Sequence, residues 1–171
     1  TRGALPNVLE VCSRAETTDG RISDIKMVSE QLQRRFAELS SEGFRLLGVA
    51  CKNLPHGARP IKDQETDMTL LGFLVFFDPP KRGIADIIGR LKEIGVSLKI
   101  VTGDNGFVAS HVARQVGFRS PQIITGPELS RMSEEALLQR VNQTDAFAEV
   151  EPNKKERLIL ALRKTGNVVG F

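Results

Sequence analysis

Two short segments of the sequence combine the groups that hold a phosphate, and each follows an apolar stretch. Thr102, Gly103 and Asp104 come directly after residues 96–101. They supply a hydroxyl, an unobstructed backbone amide and a carboxylate just before a helical pattern. Because N–H groups at the start of a helix attract anions, this turn is suited to a phosphoryl group. The alternative is an ordinary strand end, at which Asp104 or Asn105 caps the next helix.

The second segment is Glu151-Pro152-Asn153-Lys154-Lys155, which follows a strand pattern ending at Val150. Pro152 suits the first position of a helix, which would put both lysines in the first turn. Cations there oppose the helix dipole, and a locally unfavourable choice at a strand end often marks a site. A lysine here could neutralise a phosphoryl group through a charge-assisted hydrogen bond. The alternative is two solvated lysines, offset by Glu149, Glu151 and Glu156.

The elements that must position these two segments alternate regularly beyond Asp78-Pro79-Pro80. Helix and strand at this spacing are typical of parallel βα units, whose ligands bind beyond the carboxyl ends of the strands. The sequence therefore predicts an α/β fold with a doubly wound, Rossmann-like parallel sheet over residues 78–171. The predicted helices are 84–94, 108–116, 133–141 and a last one around 158–165, and the predicted strands are 96–101, 122–125, 146–150 and 168–169.

Residues 1–77 show a different pattern, which predicts a smaller, separate α+β lobe. Apolar residues recur at helical spacing in its first half, and β-prone stretches follow. The predicted elements are a helix at 5–13, an amphipathic helix of about 17 residues between Asp24 and Gly43, a strand at 44–52, a surface loop at 53–67 and a buried strand at 70–77.

Composition excludes several classes of protein. The 171 residues are 40% apolar and 26% charged, as in globular domains, and the net charge of +3 is spread along the chain. We therefore expect no nucleic-acid partner. The longest apolar run, Leu70 to Phe77, is well short of the ~20 residues that cross a bilayer, so this chain should not insert into a membrane. Cys12 and Cys51 have no metal-ligand spacing around them and are expected in the core.

Thr-Gly-Asp after an apolar strand, with Pro-x-x-Lys some fifty residues later, resembles the phosphorylation domain of P-type ATPases, which belong to the haloacid dehalogenase superfamily. Other segments match this family in order along the chain. They are Arg2-Gly3-Ala4, which resembles the Lys-Gly-Ala segment of the nucleotide-binding domain; Gly43-Phe44-Arg45, which resembles a Gly-x-Arg strand start; Asp78-Pro79-Pro80-Lys81, which resembles the hinge motif; and residues 147–152, which lead to the motif lysine, Lys155 in this register.

The resemblance is strongest to the bacterial magnesium-translocating ATPases, through Asp-Pro-Pro-Lys, Lys-Glu-Arg-Leu-Ile and Gly-Asn-Val-Val-Gly-Phe. It implies an ATP-driven cation pump that uses ATP and Mg²⁺ and forms an aspartyl phosphate. Residues 1–77 would then be the C-terminal part of a nucleotide-binding domain and 78–171 part of a phosphorylation domain. The intact protein would lie in the cell membrane, with this chain on the cytoplasmic side and with transmembrane and actuator domains as its partners.

The resemblance also implies a role for each matched residue. Thr102 would hydrogen-bond the phosphoryl oxygens, and Gly103 would let the backbone approach them. Asp104 would contact ATP-bound magnesium or the ribose region, and Lys155 would pair with the phosphorylated aspartate. The nucleotide-binding residues would be Arg2, Gly3, Arg45, Asp78 and Lys81, and no metal site built by the protein alone is implied. Alternatively, the two arginines are merely solvated and Asp78 caps a helix.

The departures from the family pattern set the expectations for activity. Arg2 replaces the usual lysine, keeping the charge but changing a compact ammonium into a planar fork. The Asp-Lys-Thr-Gly-Thr and Gly-Asp-Gly-x-Asn-Asp motifs are absent from the sequence, and we expect them upstream of Thr1 and from about Phe171 onward. We therefore expect no ATP turnover from these residues alone. Other interpretations are a stand-alone phosphatase of the superfamily and a non-catalytic nucleotide-sensing or interaction module.

Overall fold

A computed structural model describes residues 1–55, 57 and 65–170, and these divide into two compact units. Unit 1 comprises Thr1–Ser40 and Phe44–Phe77, and unit 2 comprises Ser41–Gly43 and the chain from Asp78 onward. The identification of the two units with parts of a nucleotide-binding and a phosphorylation domain stays a prediction. Most of the predicted loop at 53–67 lies outside the described residues.

Unit 1 is a mixed sheet with two helices. Its five-stranded sheet has the order β1-β4-β5-β2-β3, and every neighbouring pair is antiparallel except β2 with β5. The elements are β1 (Arg2–Ala4), α1 (Leu5–Glu10), β2 (Cys12–Glu16), β3 (Ile22–Asp24), α2 (Ile25–Ser41), β4 (Arg45–Cys51) and β5 (Met68–Phe76). The core forms where apolar side chains of both helices meet one face of this sheet.

Alternation along β4 separates the two faces of the sheet. Leu46, Gly48 and Ala50 are buried, whereas Arg45 and Leu47 on the other face are not. A Cβ on Gly48 would lie 3.1 Å from the Cβ of Val8 in α1, so glycine lets this helix approach the strand closely.

The expectations for unit 1 hold for its long helix and fail for part of its first one. The predicted amphipathic helix is confirmed as α2, which has 17 residues and begins where Asp24 Oδ1 accepts a hydrogen bond from Lys26 N at 2.8 Å. The predicted helix at 5–13 is wrong beyond Glu10, because Cys12 pairs with Met68 in the sheet.

The buried strand at 70–77 is also only half correct. Leu70 is buried, but the side chains from Leu74 to Phe77 are exposed, because the helices cover only the first part of β5. Of the two cysteines expected in the core, Cys12 is buried and Cys51 is exposed at the end of β4. Burial, and secondarily the neighbouring Cys51 thiol, raises the pKa of Cys12.

Unit 2 is built on a parallel sheet of three strands in the order β6-β8-β7. The central strand β8 is fully buried, and Phe147 in its middle belongs to the core together with Leu137 and Leu158 from two helices. The elements are α3 (Ile84–Glu93), β6 (Ile100–Val101), α4 (Gly106–Gln115), β7 (Ile123–Thr125), α5 (Gly126–Arg131), α6 (Glu134–Arg140), β8 (Ala146–Ala148) and α7 (Pro152–Lys164).

Polar residues next to the strands start the helices of unit 2. Asn105 caps α4 by accepting a hydrogen bond from Val108 N at 3.0 Å, and Ser133 caps α6 in the same way. Thr125 and Glu128 form a reciprocal capping box on α5. Pro152 is the first residue of α7, as its sequence position predicted.

The coarse fold class is therefore confirmed: both units mix helices with strands, and parallel pairing occurs as expected. The doubly wound Rossmann-like arrangement stays a prediction. The strand expected at 168–169 is wrong: within the described stretch up to residue 170 these residues pair with no strand, and Val168 is fully exposed. Within the described ranges, no helix has the length and apolar content needed to cross a bilayer.

Candidate active site

The two segments predicted to hold a phosphate leave neighbouring strands at the same edge of the parallel sheet. In β6 and β8, Val101 lies opposite Phe147. The pairing continues past the strands, because Thr102 N donates to Phe147 O at 2.9 Å and Val150 N donates to Thr102 O at 3.0 Å. The turn that begins at Thr102 and the turn that leads into α7 therefore lie side by side.

The Thr102–Asp104 turn is closed by its own side chains. Thr102 Oγ1 donates to Asp104 Oδ2 at 2.8 Å and accepts from Asp104 N at 3.1 Å. The residue that caps α4 is Asn105. The alternative interpretation, in which Asp104 or Asn105 caps this helix, is therefore confirmed for Asn105 and not for Asp104. Both side chains of the closed turn are half-buried.

Gly103 has no structural reason to be a glycine within the described fold. Its φ lies outside the left-handed region, and no atom stands within 4 Å of the position that a Cβ would occupy. Gly103 is exposed, and open space beside its backbone is the arrangement that close approach of a phosphoryl group requires.

The two adjacent lysines of α7 differ in their partners. Lys154 Nζ donates to Ser130 Oγ at 2.8 Å and lies 3.6 Å from Glu151 Oε2. Lys155 is half-buried, and no described residue gives it a hydrogen bond or ion pair. Because Lys154 is already used within unit 2, Lys155 is the cation with capacity for a ligand.

A close backbone contact that the sequence did not reveal lies beside these turns. Glu149 has φ +56°, in the left-handed region, and its N–H donates to Asp104 O at 2.8 Å. A Cβ on Gly126 would overlap the carbonyl oxygen of Glu149. A left-handed residue other than glycine costs ~1–2 kcal/mol, so the surrounding contacts must stabilise it. Gly126-Pro127 directly after a predicted strand was the available signal.

Unit 1 holds Arg2, Gly3 and Arg45. Arg2 pairs with Val49 and Arg45 with Phe76, so both arginines occupy the face of the sheet that the helices leave open. Val49 and Arg45 are four residues apart on β4, which separates the two arginines by ~13 Å. Gly3 instead lies on the helix face, where a Cβ would meet Val8 at 3.6 Å.

Asp78 and Lys81 are exposed in the segment that precedes α3 in unit 2. The residue at the N-cap of α3 is Gly83, with φ +79°, and Lys81 O accepts from Ile84 N at 3.3 Å. The alternative that Asp78 caps this helix is therefore wrong.

Comparison with known proteins covers the whole chain. The family model described as "P-type ATPase, cytoplasmic domain N" matches residues 1–83. "Magnesium-transporting ATPase, P-type 1" of Escherichia coli (strain K12) is 32% identical over 171 residues, which is 99% of this chain and 19% of that protein. The protein of the same name from Salmonella typhimurium (strain LT2) is 35% identical over 177 residues, again 99% of this chain and 19% of the relative. The chain belongs to the P-type ATPase family.

Relatives in this family are named for different cations. "Endoplasmic reticulum calcium ATPase srcA" of Aspergillus fumigatus is 29% identical over 187 residues, covering 99% of this chain and 19% of the relative. The chain thus spans about a fifth of the length of the P-type ATPases it matches.

Lys99 and Glu128 in unit 2 have shifted pKa values, and neither residue belongs to the two segments predicted to hold phosphate. Lys99, at the opposite edge of the sheet, donates from Nζ to Asn142 O at 2.6 Å, and burial lowers its pKa against the opposing effect of Asp145. Hydrogen bonds from the Thr125 backbone and hydroxyl lower the pKa of Glu128. Within the described residues, no group of three or more His, Cys, Asp or Glu side chains converges on one point.

Proposed function

We propose that the chain is the nucleotide-binding and phosphoryl-transfer part of an ATP-driven cation pump. The γ-phosphoryl of ATP passes to an aspartate that another part of the same protein supplies, and the acyl phosphate is then hydrolysed. The observation that carries this proposal is the pairing beyond β6 and β8, which sets the Thr102–Asp104 turn beside the turn leading to Lys155.

Each group of this edge has a task in the transfer. The carboxylate oxygen of the acceptor attacks the γ-phosphorus while the bond to ADP breaks, which divides hydrolysis into two easier steps. The Thr102 hydroxyl turns from Asp104 Oδ2 to a phosphoryl oxygen. The ammonium of Lys155 neutralises the charge on the transferred group and on the acceptor carboxylate. Gly103 leaves the space in which the phosphoryl oxygens meet the backbone amide.

Magnesium fits this edge as an ion that arrives with the nucleotide. Mg²⁺ keeps several waters and binds one or two carboxylates together with substrate phosphates. Asp104 provides one such carboxylate, and no multi-carboxylate cluster accompanies it among the described residues. When bound, the ion would neutralise phosphate charge, and the Asp104 carboxylate would be the residue that holds it.

The remaining site residues belong to nucleotide binding in this proposal. Arg2 and Arg45 lie on the open face of unit 1, where their guanidinium groups are suited to phosphate oxygens. Asp78 and Lys81 contact the ribose and phosphate region. Gly3, which packs beneath α1, supports the strand that presents Arg2.

We further propose that the transported cation is Mg²⁺, because the relatives at 32–35% identity are named magnesium-transporting. The intact protein then lies in the cell membrane, with this chain on the cytoplasmic side. Its transmembrane and actuator domains are the partners of the two units.

Labelling of the intact protein tests the proposed chemistry. Incubation with γ-³²P-ATP should give a labelled protein that is stable in acid and cleaved by hydroxylamine, as an acyl phosphate is. The isolated 171-residue chain is the control, and it should take up no label. Absence of label in the intact protein would refute the proposal. Label on the isolated chain would refute the part of the proposal that places the acceptor aspartate outside these residues. Transport of ²⁸Mg²⁺ into vesicles, with Ca²⁺ as competitor, tests the cation.

A further inference from the structure

Glu149 adopts a backbone conformation that its own side chain does not explain. Among the described residues only Asp67 and Glu149 have a positive φ without being glycine. Aspartate enters the left-handed region comparatively often, but glutamate does so rarely. The Glu149 side chain is exposed, and no described residue gives its carboxylate a hydrogen bond or ion pair. Contacts of the backbone must therefore hold this conformation.

Three backbone contacts hold Glu149 and the residue that follows it. Its N–H donates to Asp104 O at 2.8 Å, and the next N–H, that of Val150, donates to Thr102 O at 3.0 Å. The Val150 side chain is buried in the core of unit 2. On the opposite side, the backbone of Gly126 lies so close to the Glu149 carbonyl that a side chain there would overlap it.

These contacts fix the path between the two phosphate-holding turns. Successive N–H groups at 149 and 150 reach two carbonyls of the Thr102–Asp104 turn, which the left-handed residue makes possible. Only Glu151 then separates Val150 from Pro152, the first residue of α7. The orientation of the first helical turn, and with it the position of Lys155, therefore depends on the conformation at 149.

We infer that Glu149 and Gly126 are positioning residues: the left-handed backbone of Glu149, for which Gly126 leaves room, holds Lys155 in register with Thr102 and Asp104. This inference rests on the proposed function for the role of Lys155. Neither residue touches the phosphoryl group; both act through the backbone that carries the groups which do.

Variants of Glu149 in the intact protein separate the backbone from the carboxylate. Glu149→Val disfavours the left-handed conformation and should lower the rate of phosphoenzyme formation about 100-fold, with little change in the KM for ATP, because ~1 Å of misplacement has such an effect. Glu149→Gly removes the carboxylate but accepts the conformation and should keep at least half of the rate. Equal losses in both variants, or no loss in either, would overturn the inference.

A double-mutant cycle tests whether Gly126 acts through Lys155. Gly126→Ala should lower the rate about 100-fold in the wild-type background but hardly at all in a Lys155→Ala background. Losses that multiply would show independent action and would overturn the inference. Gly89→Ala is the matched control, because Gly89 lies exposed in α3 with no atom within 4 Å of a Cβ, and its rate should not change.

Hydrogen exchange of the intact protein gives a readout that needs no turnover. In Gly126→Ala the backbone amides of 149 and 150 should exchange about tenfold faster, while those of α3 stay unchanged. Unchanged protection at 149 and 150 would overturn the inference even if the protein is a pump. Absence of a phosphoenzyme in the wild type would instead refute the proposed function, and the exchange result would still decide whether the two turns are coupled.

Discussion

The two units place their candidate residues differently, because the strands that carry these residues are parallel in unit 2 and antiparallel in unit 1. In unit 2, β6 and β8 are parallel, so the turns that follow them leave the same edge and meet through backbone hydrogen bonds. In unit 1, β1 and β4 are antiparallel, and Arg2 and Arg45 stand ~13 Å apart along one face. A parallel sheet gathers groups at one point, suited to a reacting centre. An antiparallel sheet spreads them over a surface, suited to an extended ligand.

The two sheets also differ in how deeply their strands are buried. The central strand β8 is fully buried, so the turn at its end is held by a packed core. The second half of β5 is open, and Phe76 is 47% exposed. Unit 2 therefore has the rigidity that catalytic positioning needs, whereas the open face of unit 1 depends less on packing.

The largest effect should come from truncating a buried side chain in the central strand of unit 2. Phe147 is fully buried, so Phe147→Ala should reduce the free energy of unfolding of unit 2 by about 3–5 kcal/mol. Phe76→Ala in unit 1 is the matched control and should cost less than about 1.5 kcal/mol, because nearly half of this ring is already in water. Urea unfolding of the 171-residue chain measures both. Similar losses would contradict the division into a packed and an open sheet.

The next largest effect should distinguish the two lysines of α7. In the intact protein, Lys155→Ala should lower the rate of phosphoenzyme formation about 100- to 1,000-fold, the usual effect of removing a group that stabilises transition-state charge. Lys154→Ala removes a side chain that pairs with Ser130 and Glu151 and should change the rate less than about threefold. Rapid-quench labelling measures both rates. Equal effects would mean that the register of the motif lysine is wrong by one residue.

Sequence reasoning succeeded where a pattern was long or where a residue had a stated chemical reason. The 17-residue helix α2, Pro152 at the start of α7 and the parallel pairing in unit 2 are examples. It failed where tertiary contacts decide. The residues from Cys12 became a strand through pairing with β5, and Val168 lacks a strand partner in the described part of the chain.

The site shows the same limit. The types and spacing of Thr102, Asp104 and Lys155 identified the strand ends from sequence alone. The contact between Gly126 and Glu149 could not be found in this way, because it depends on how closely the ends of β7 and β8 approach. Glutamate gives no sequence signal for a left-handed conformation, so only the folded backbone reveals it.

A smaller effect should test the arginine face of unit 1. Arg2→Ala and Arg45→Ala should each weaken ATP binding to the intact protein about tenfold, which is ~1.4 kcal/mol. Because the two residues are ~13 Å apart along the sheet, the double variant should lose about 100-fold by simple addition of free energies. Arg34→Ala on α2, whose guanidinium pairs with Glu30, is the control and should bind normally. Calorimetry measures the affinities, and strong non-additivity would mean that the arginines share one contact.

The smallest effect concerns the capping box that starts α5 beside Gly126. Hydrogen bonds from the Thr125 backbone N–H at 2.7 Å and its hydroxyl at 3.0 Å lower the pKa of Glu128. Because the folded-state pKa is lowered, this contribution is complete above about pH 5 and is lost as pH falls below the usual glutamate pKa of about 4.3.

Glu128→Gln keeps an acceptor oxygen but removes the charge, so the variant should be less stable than wild type by under about 1 kcal/mol at pH 7. The difference should shrink as pH falls through the lowered pKa of Glu128, because the wild-type carboxylate then becomes protonated as well. Thermal unfolding of the 171-residue chain at several pH values measures it. A difference that stays constant with pH would mean that the amide geometry, and not the charge of Glu128, determines the stability of this turn.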